Sequence, residues 1–246
     1  MLQCVLLAAG YATRLHPLTD DRPKALLPVG GRPILEHVLE KLVPLGLERI
    51  ILVTNHRFAD QFASWVDASG WVDMVTIADD GTQTNAERLG AIGDLAWAIE
   101  EFSLDDDTLV MAADNLFEFS LVDFVQFAQV RKTDCITVYR LDDVERLQRT
   151  GNAVLTADGR LTAFAEKPAQ PISHWAVPPF YIYRRETLPL VRKYLAEGGN
   201  PDAPGHFLPW LLVQRPVYAL VVKGNIYDVG TVESYREVQT IYGKQR

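Results

Sequence analysis

The sequence predicts an α/β fold: a mostly parallel central sheet with helices on both faces, followed by a mixed β insert. Three observations lead there. The first half alternates short apolar runs with amphipathic helical ones. The second half changes to closely spaced strand-like runs. Between the first strand and the first helix lies a long loop of small and cationic residues, and long ordered loops in compact domains are usually functional.

The elements follow in order. Leu2–Leu7 reads as a buried strand; no basic flank precedes it, which argues against a secretory signal. Residues 49–54, 74–78 and 108–112 are the next strand-like runs. Helical patterns cover 33–45, 58–68, 91–102 and 119–130. Pro33 suits a first helical turn, and Gly46 suits a helix end. In the second half 135–140, 153–155, 161–165 and 175–183 read as strands, with a turn at Ala157-Asp158-Gly159-Arg160. Helices are expected over 186–196, 207–212 and 232–242, and a strand over 217–222. The expected plan is one domain over 1–246, with an alternating α/β half at 1–132 and a mixed β half at 133–246.

Leu6 to Pro33 is the most informative stretch. Ala8, Ala9 and Gly10 let a backbone approach something closely, and Arg14, Arg22, Lys24 and Arg32 follow. The chain carries 24 Lys+Arg against 32 Asp+Glu, a net charge of −8, so this local cationic excess needs a cause. A phosphate cradle supplies one: backbone N–H groups approach, and Arg and Lys neutralise the anion. The loop matches neither G-x-x-x-x-G-K-[ST] nor G-x-G-x-x-G. A solvated linker is the alternative reading.

Bulk properties narrow the classes further. The chain is long enough for one sizeable core. It has no apolar run of about 18 residues that would span a bilayer. The net acidic charge argues against nucleic-acid or anionic-membrane surfaces. Cys4 and Cys135 sit in apolar runs and read as buried thiols of a reducing, cytoplasmic compartment, a disulfide being the alternative. His16, His37, His56, His174 and His206 show no triad pattern.

Leu7-Ala8-Ala9-Gly10-x-x-Thr13-Arg14-Leu15, followed by Pro23-Lys24-Ala25-Leu26, resembles the motif of sugar-1-phosphate nucleotidyltransferases, or NDP-sugar pyrophosphorylases. Glucose-1-phosphate thymidylyltransferase is a typical member. Ala112-Ala113-Asp114-Asn115, Glu166-Lys167-Pro168 and Asp228-Val229-Gly230-Thr231 resemble later family motifs and stand in the family's order. One departure is Ala12, where the family has Gly. Ala disfavours positive φ, so the loop is expected to be re-routed there.

The resemblance implies a Rossmann-like sheet of the nucleotide-diphospho-sugar transferase fold, Mg²⁺ as cofactor, and a nucleoside triphosphate and a sugar 1-phosphate as substrates. It implies transfer of a nucleotidyl group, dTTP or UTP being favoured, with release of pyrophosphate. Leu7, Ala8, Ala9, Gly10 and Thr13 would line the nucleotide. Arg14 would hold the β- and γ-phosphates, and Lys24 would neutralise the α-phosphate. Asp114 and Asp228 would bind the metal; for each, a helix cap or turn residue is the alternative. Glu166 would contact sugar hydroxyls, Lys167 the sugar's phosphate, and Gly151 and Asn115 the sugar side. The base-reading region falls at 79–93, with Gln83, Asn85 and Arg88 as candidates; a helix start capped by Thr84 or Asn85 is the alternative. Pro178-Pro179-Phe180 stands where relatives have a glycine, which leaves the acceptor open. Residues 202–207 read as a surface turn or an acceptor lid. The chain leaves no room for the β-helix that some relatives append, and it is compatible with a homo-oligomer. Two other readings remain: a cytidylyltransferase for a small phosphorylated alcohol or phosphonate, and a silent nucleotide-sensing subunit.

Overall fold

The computed structural model describes residues 2–243. In chain order it contains β1 (Leu2–Leu7), β2 (Pro28–Val29), β3 (Arg32–Pro33), α1 (Ile34–Leu42), β4 (Ile50–Thr54), α2 (His56–Ser69) and β5 (Val75–Asp79). Then come α3 (Ala91–Glu101), β6 (Asp107–Ala112), β7 (Asn115–Phe117), α4 (Leu121–Arg131), β8 (Asp134–Arg140) and α5 (Val144–Leu147). The rest is β9 (Gly151–Leu155), β10 (Leu161–Ala165), β11 (Trp175–Val177), β12 (Phe180–Tyr183), α6 (Leu188–Ala196), α7 (Phe207–Gln214), β13 (Val217–Val221), β14 (Ile226–Asp228) and α8 (Val232–Gly243). This is the mixed α/β class that the strand and helix periodicities predict.

The chain divides into two compact units, each discontinuous in sequence. One holds the residues up to Cys4, Leu89–Met111 and Val122–Lys223. Its strands are mixed. β12 runs antiparallel to β6, pairing Phe180 with Met111, and antiparallel to β8. β9 joins β10 and β11 in antiparallel pairs, while β13 lies parallel to β8. The turn expected at 157–160 joins β9 to β10, and Gly159 takes the positive φ (+87°) that it requires. The expected strand over 175–183 is two strands. Pro178 and Pro179 lack N–H groups and cannot continue a ladder, so β11 pairs with β9 and β12 with β6.

The other unit holds Val5–Arg88, Ala112–Leu121 and the residues from Gly224 on. β4 and β5 run parallel here, from Ile50 opposite Val75 to Thr54 opposite Asp79. α1 buries Ile34, Leu35, Val38, Leu39 and Leu42, a helical stripe that the sequence periodicity predicts. Asn55 caps α2, its side chain accepting from the Phe58 N–H at 3.2 Å. Two three-residue strands, β7 and β14, pair antiparallel and set Asn115 opposite Asp228.

Cys4 and Cys135 are free, buried thiols, and burial pushes the Cys135 thiol up to about 12. Among the described residues no helix is long and apolar enough to cross a membrane.

Candidate functional site

The loop after β1 is pinned from three sides, all within one unit. The Ala8 N–H donates to Val53 O at 2.8 Å, and the Ala113 N–H to Leu7 O at 3.0 Å. The Asn55 amide donates to Ala9 O at 2.9 Å. A Cβ placed on Gly10 would meet nothing within 4 Å among the described residues, so the loop faces open space there. Ala12 takes a left-handed backbone, φ 47° and ψ 41°. The expected re-routing at Ala12 therefore does not occur: the chain keeps a glycine-type conformation with an alanine. Two bonds hold it, from Leu15 N–H (2.9 Å) and Thr19 Oγ1 (3.0 Å) to Ala12 O. Non-glycine residues accept this conformation at a cost of about 1–2 kcal/mol. Thr13 and Arg14 follow in a single 3₁₀ turn, both exposed.

Lys24 opens a second short turn after Pro23, and its side chain is only 11% exposed. Its ammonium lies 2.8 Å from Asp114 Oδ2 and 3.3 Å from Asp228 Oδ1. Burial pulls the Lys24 pKa down, but the two carboxylates outweigh it, and the net shift is upward. Asp114 lies in the two-residue turn between β6 and β7 and accepts a further bond from the Asn115 amide (3.2 Å). Asp228 closes β14 and is exposed. A Cβ on Gly230 would sit 3.1 Å from Asp228 Oδ2 and 3.6 Å from an Arg14 nitrogen, so Arg14 joins the same group. Arg14, Lys24, Asp114 and Asp228, distant in sequence, thus meet in one unit. The alternative that Asp228 caps the helix after it fails. Thr231 and Ser234 exchange the bonds at that helix start, at 3.0 and 3.2 Å.

Two carboxylates that reach one ammonium also suit a hard divalent ion, which takes few protein ligands beside phosphate oxygens and water. Among the described residues no cluster of three or more His, Cys, Asp or Glu is arranged to hold a metal.

Asn85 and Arg88 lie on an exposed turn. The Glu87 carboxylate organises it, accepting from the Gln83 and Thr84 N–H groups at 2.9 and 3.0 Å, which hold its pKa down. The next helix, α3, starts at Ala91, so neither Thr84 nor Asn85 caps it. The buried Tyr11 hydroxyl donates to Thr82 O at 3.1 Å and ties the loop after β1 to this turn. Sequence reading missed Tyr11 and Asn55. A polar residue ending a buried strand was the available signal for Asn55.

Glu166, Lys167 and Gly151 lie in the other unit. Glu166 follows β10, with its side chain 13% exposed. Burial raises its pKa, while Lys167 and His206 pull it down. Lys167 Nζ stands 3.7 Å from Glu166 Oε1, and its backbone is left-handed (φ 45°) ahead of Pro168. A Cβ on Gly151 would fall 2.6 Å from the Phe164 ring, so glycine is what admits that ring, and it would only touch Glu166 Oε2, at 3.4 Å.

A protein-family model described as nucleotidyl transferase matches residues 3–245. The UTP–glucose-1-phosphate uridylyltransferase AglF of Haloferax volcanii is 31% identical over 182 residues, 74% of this chain and 72% of that protein. A glucose-1-phosphate thymidylyltransferase of Actinoplanes sp. is 32% identical over 190 residues, 76% of this chain and 60% of that protein. The chain spans between 48% and 72% of the length of the curated relatives it matches. A UDP-glucose pyrophosphorylase solved with UDP-glucose superposes with a TM-score of 0.81 at 20% identity, covering all of both chains. At that identity the likeness is one of fold.

Proposed function

The chain belongs to the nucleotidyl transferase family, and we propose that it transfers a nucleotidyl group from dTTP or UTP to a sugar 1-phosphate. The products are an NDP-sugar and pyrophosphate. The observation that carries this reading is the convergence of Lys24, Asp114 and Asp228 at 2.8 and 3.3 Å. An acidic chain has assembled a buried cation between two carboxylates beside a small-residue loop.

The chemistry asks for charge cancellation and alignment more than for acid or base work. A sugar-phosphate oxygen attacks the α-phosphorus, and the bond to the pyrophosphate breaks. In this reading Arg14 takes the β- and γ-phosphates and stabilises the leaving group. Lys24 neutralises charge at the α-phosphate. The backbone of Leu7, Ala8, Ala9, Gly10 and Thr13 leaves room for the nucleotide, and Asn85 and Arg88 meet the base. Glu166 accepts from sugar hydroxyls with Gly151 beside it, Lys167 binds the sugar's phosphate, and Asn115 steadies Asp114. Asp114 and Asp228 would hold Mg²⁺, which when bound neutralises phosphate charge. The reading treats the chain as one nucleotidyltransferase domain acting in the cytoplasm.

The test is pyrophosphate release with each of five nucleoside triphosphates, paired with glucose 1-phosphate, mannose 1-phosphate or a small phosphorylated alcohol such as glycerol 3-phosphate. Turnover is expected with dTTP or UTP. Turnover only with CTP and a phosphorylated alcohol would favour the cytidylyltransferase reading. Tight nucleotide binding with no release from any pair would favour a silent subunit.

A further inference from the structure

Residues 200–206 do more than turn the chain at the surface. The Ala91 and Ile92 N–H groups at the start of α3 donate to Asp202 O (3.0 Å) and Pro201 O (2.9 Å). The single hydroxyl proton of Tyr194 is shared between Asn200 O (3.1 Å) and His206 O (3.0 Å), one at each end of the loop. Gly199 packs on the Tyr194 ring so closely that a Cβ there would enter it. The loop is therefore clamped, and what it presents is Gly205. A Cβ on Gly205 would land on Glu166 Oε2 and within 2.7 Å of the Phe164 ring. Gly151 crowds the Phe164 ring from another element, at 2.6 Å, and a Cβ there would only touch Glu166 Oε2, at 3.4 Å. The Glu166 carboxylate is thus confined by Gly205 beside a Phe164 ring that both glycines hold closely, with an ammonium no nearer than the 3.7 Å of Lys167. A carboxylate so poorly hydrated gains most from a ligand that brings hydroxyl donors.

We propose that Gly205 is a positioning residue for the acceptor: clamped by Tyr194, it fixes the Glu166 carboxylate and thereby selects a polyhydroxylated phosphate ester. This rests on the reading of Glu166 as the acceptor contact. A larger residue at 205 drives the carboxylate out of its slot, and loss of the Tyr194 hydroxyl frees the loop that carries Gly205.

Two measurements test it. The first needs no acceptor: titration of the Glu166 carboxyl by carbon NMR in glutamate-labelled protein, assigned with Glu166→Gln. The parent protein should titrate above an ordinary glutamate, and Tyr194→Phe and Gly205→Ala should return it towards the ordinary value. The second is steady-state kinetics with UTP and glucose 1-phosphate. Gly205→Ala should raise the KM for glucose 1-phosphate about tenfold or more, the scale of one lost charged hydrogen bond, and leave the KM for UTP unchanged. In a Glu166→Ala background Gly205→Ala should add nothing further. Unchanged Glu166 titration in both variants overturns the proposal, as does an unchanged acceptor KM in a folded Gly205→Ala protein. If Gly205→Ala does not fold, Tyr194→Phe decides by the same two readouts. Kinetics indifferent to Glu166→Ala would instead count against the acceptor reading, with the titration still deciding the role of Gly205.

Discussion

Single residues separate what local sequence reveals from what it hides. Lys24→Ala should lower kcat on the order of 10²–10³, the usual effect of removing one group that stabilises transition-state charge. Normal turnover in that variant would remove Lys24 from the chemistry. Ala12 gives a second measurement. Ala12→Gly releases left-handed strain of about 1–2 kcal/mol and returns about 0.4–1 kcal/mol through a freer unfolded chain. The glycine variant should therefore be more stable, by about 0.5–1 kcal/mol in chemical denaturation. A clear loss of stability would contradict the φ of 47°. Arg14 and Lys24 were legible because cationic residues on a small-residue loop are unusual in an acidic chain. Asn55 was not, since the carbonyl it fixes, on Ala9, lies 46 positions away.

At the level of elements, length decided what could be read. Helices such as α1 and α2 show their apolar stripe over several turns, and their expected and observed positions agree within a few residues. β7 and β14 have three residues each, too few for any period to register. They nonetheless set Asn115 opposite Asp228 and so bring the two aspartates to one lysine. β8 supplies a prediction about pH. Its first residue, Asp134, is fully buried and accepts from Arg184 N–H and Thr187 Oγ1, both at 2.8 Å. Burial still pushes its carboxyl up to about 6, from 3.8. The folded state then holds the proton more tightly than the unfolded state, so this group's stability is fully present below about pH 4. It is lost as pH rises to about 6, by about 3 kcal/mol in all. Asp134→Asn should abolish that slope, gaining on the parent protein by about this amount between pH 4 and pH 7. Parallel denaturation curves for the two proteins across that range would refute it.

For the molecule as a whole, the family was legible because four separate motifs appear in one order along 246 residues. The returns of the chain to its second unit at Ala112 and Gly224 were not, because a local turn such as Gly224-Asn225 shows that the chain bends and not which unit it rejoins. Ligand binding offers a global readout. A triphosphate with Mg²⁺ at about 100 times its Kd should stabilise the fold by about 2.7 kcal/mol, visible as a rise in Tm. Adding EDTA should remove both that rise and the release of pyrophosphate, and turnover that survives chelation would exclude the divalent ion from the reaction. The antiparallel pair of β7 and β14 has one further implication, for synthesis. During translation Lys24 emerges long before its second counter-charge, Asp228, so the ion-pair group is completed only after nearly the whole chain has been made. A chain released before residue 228 would lack β14, leaving β7 without its partner strand and Lys24 without its second carboxylate.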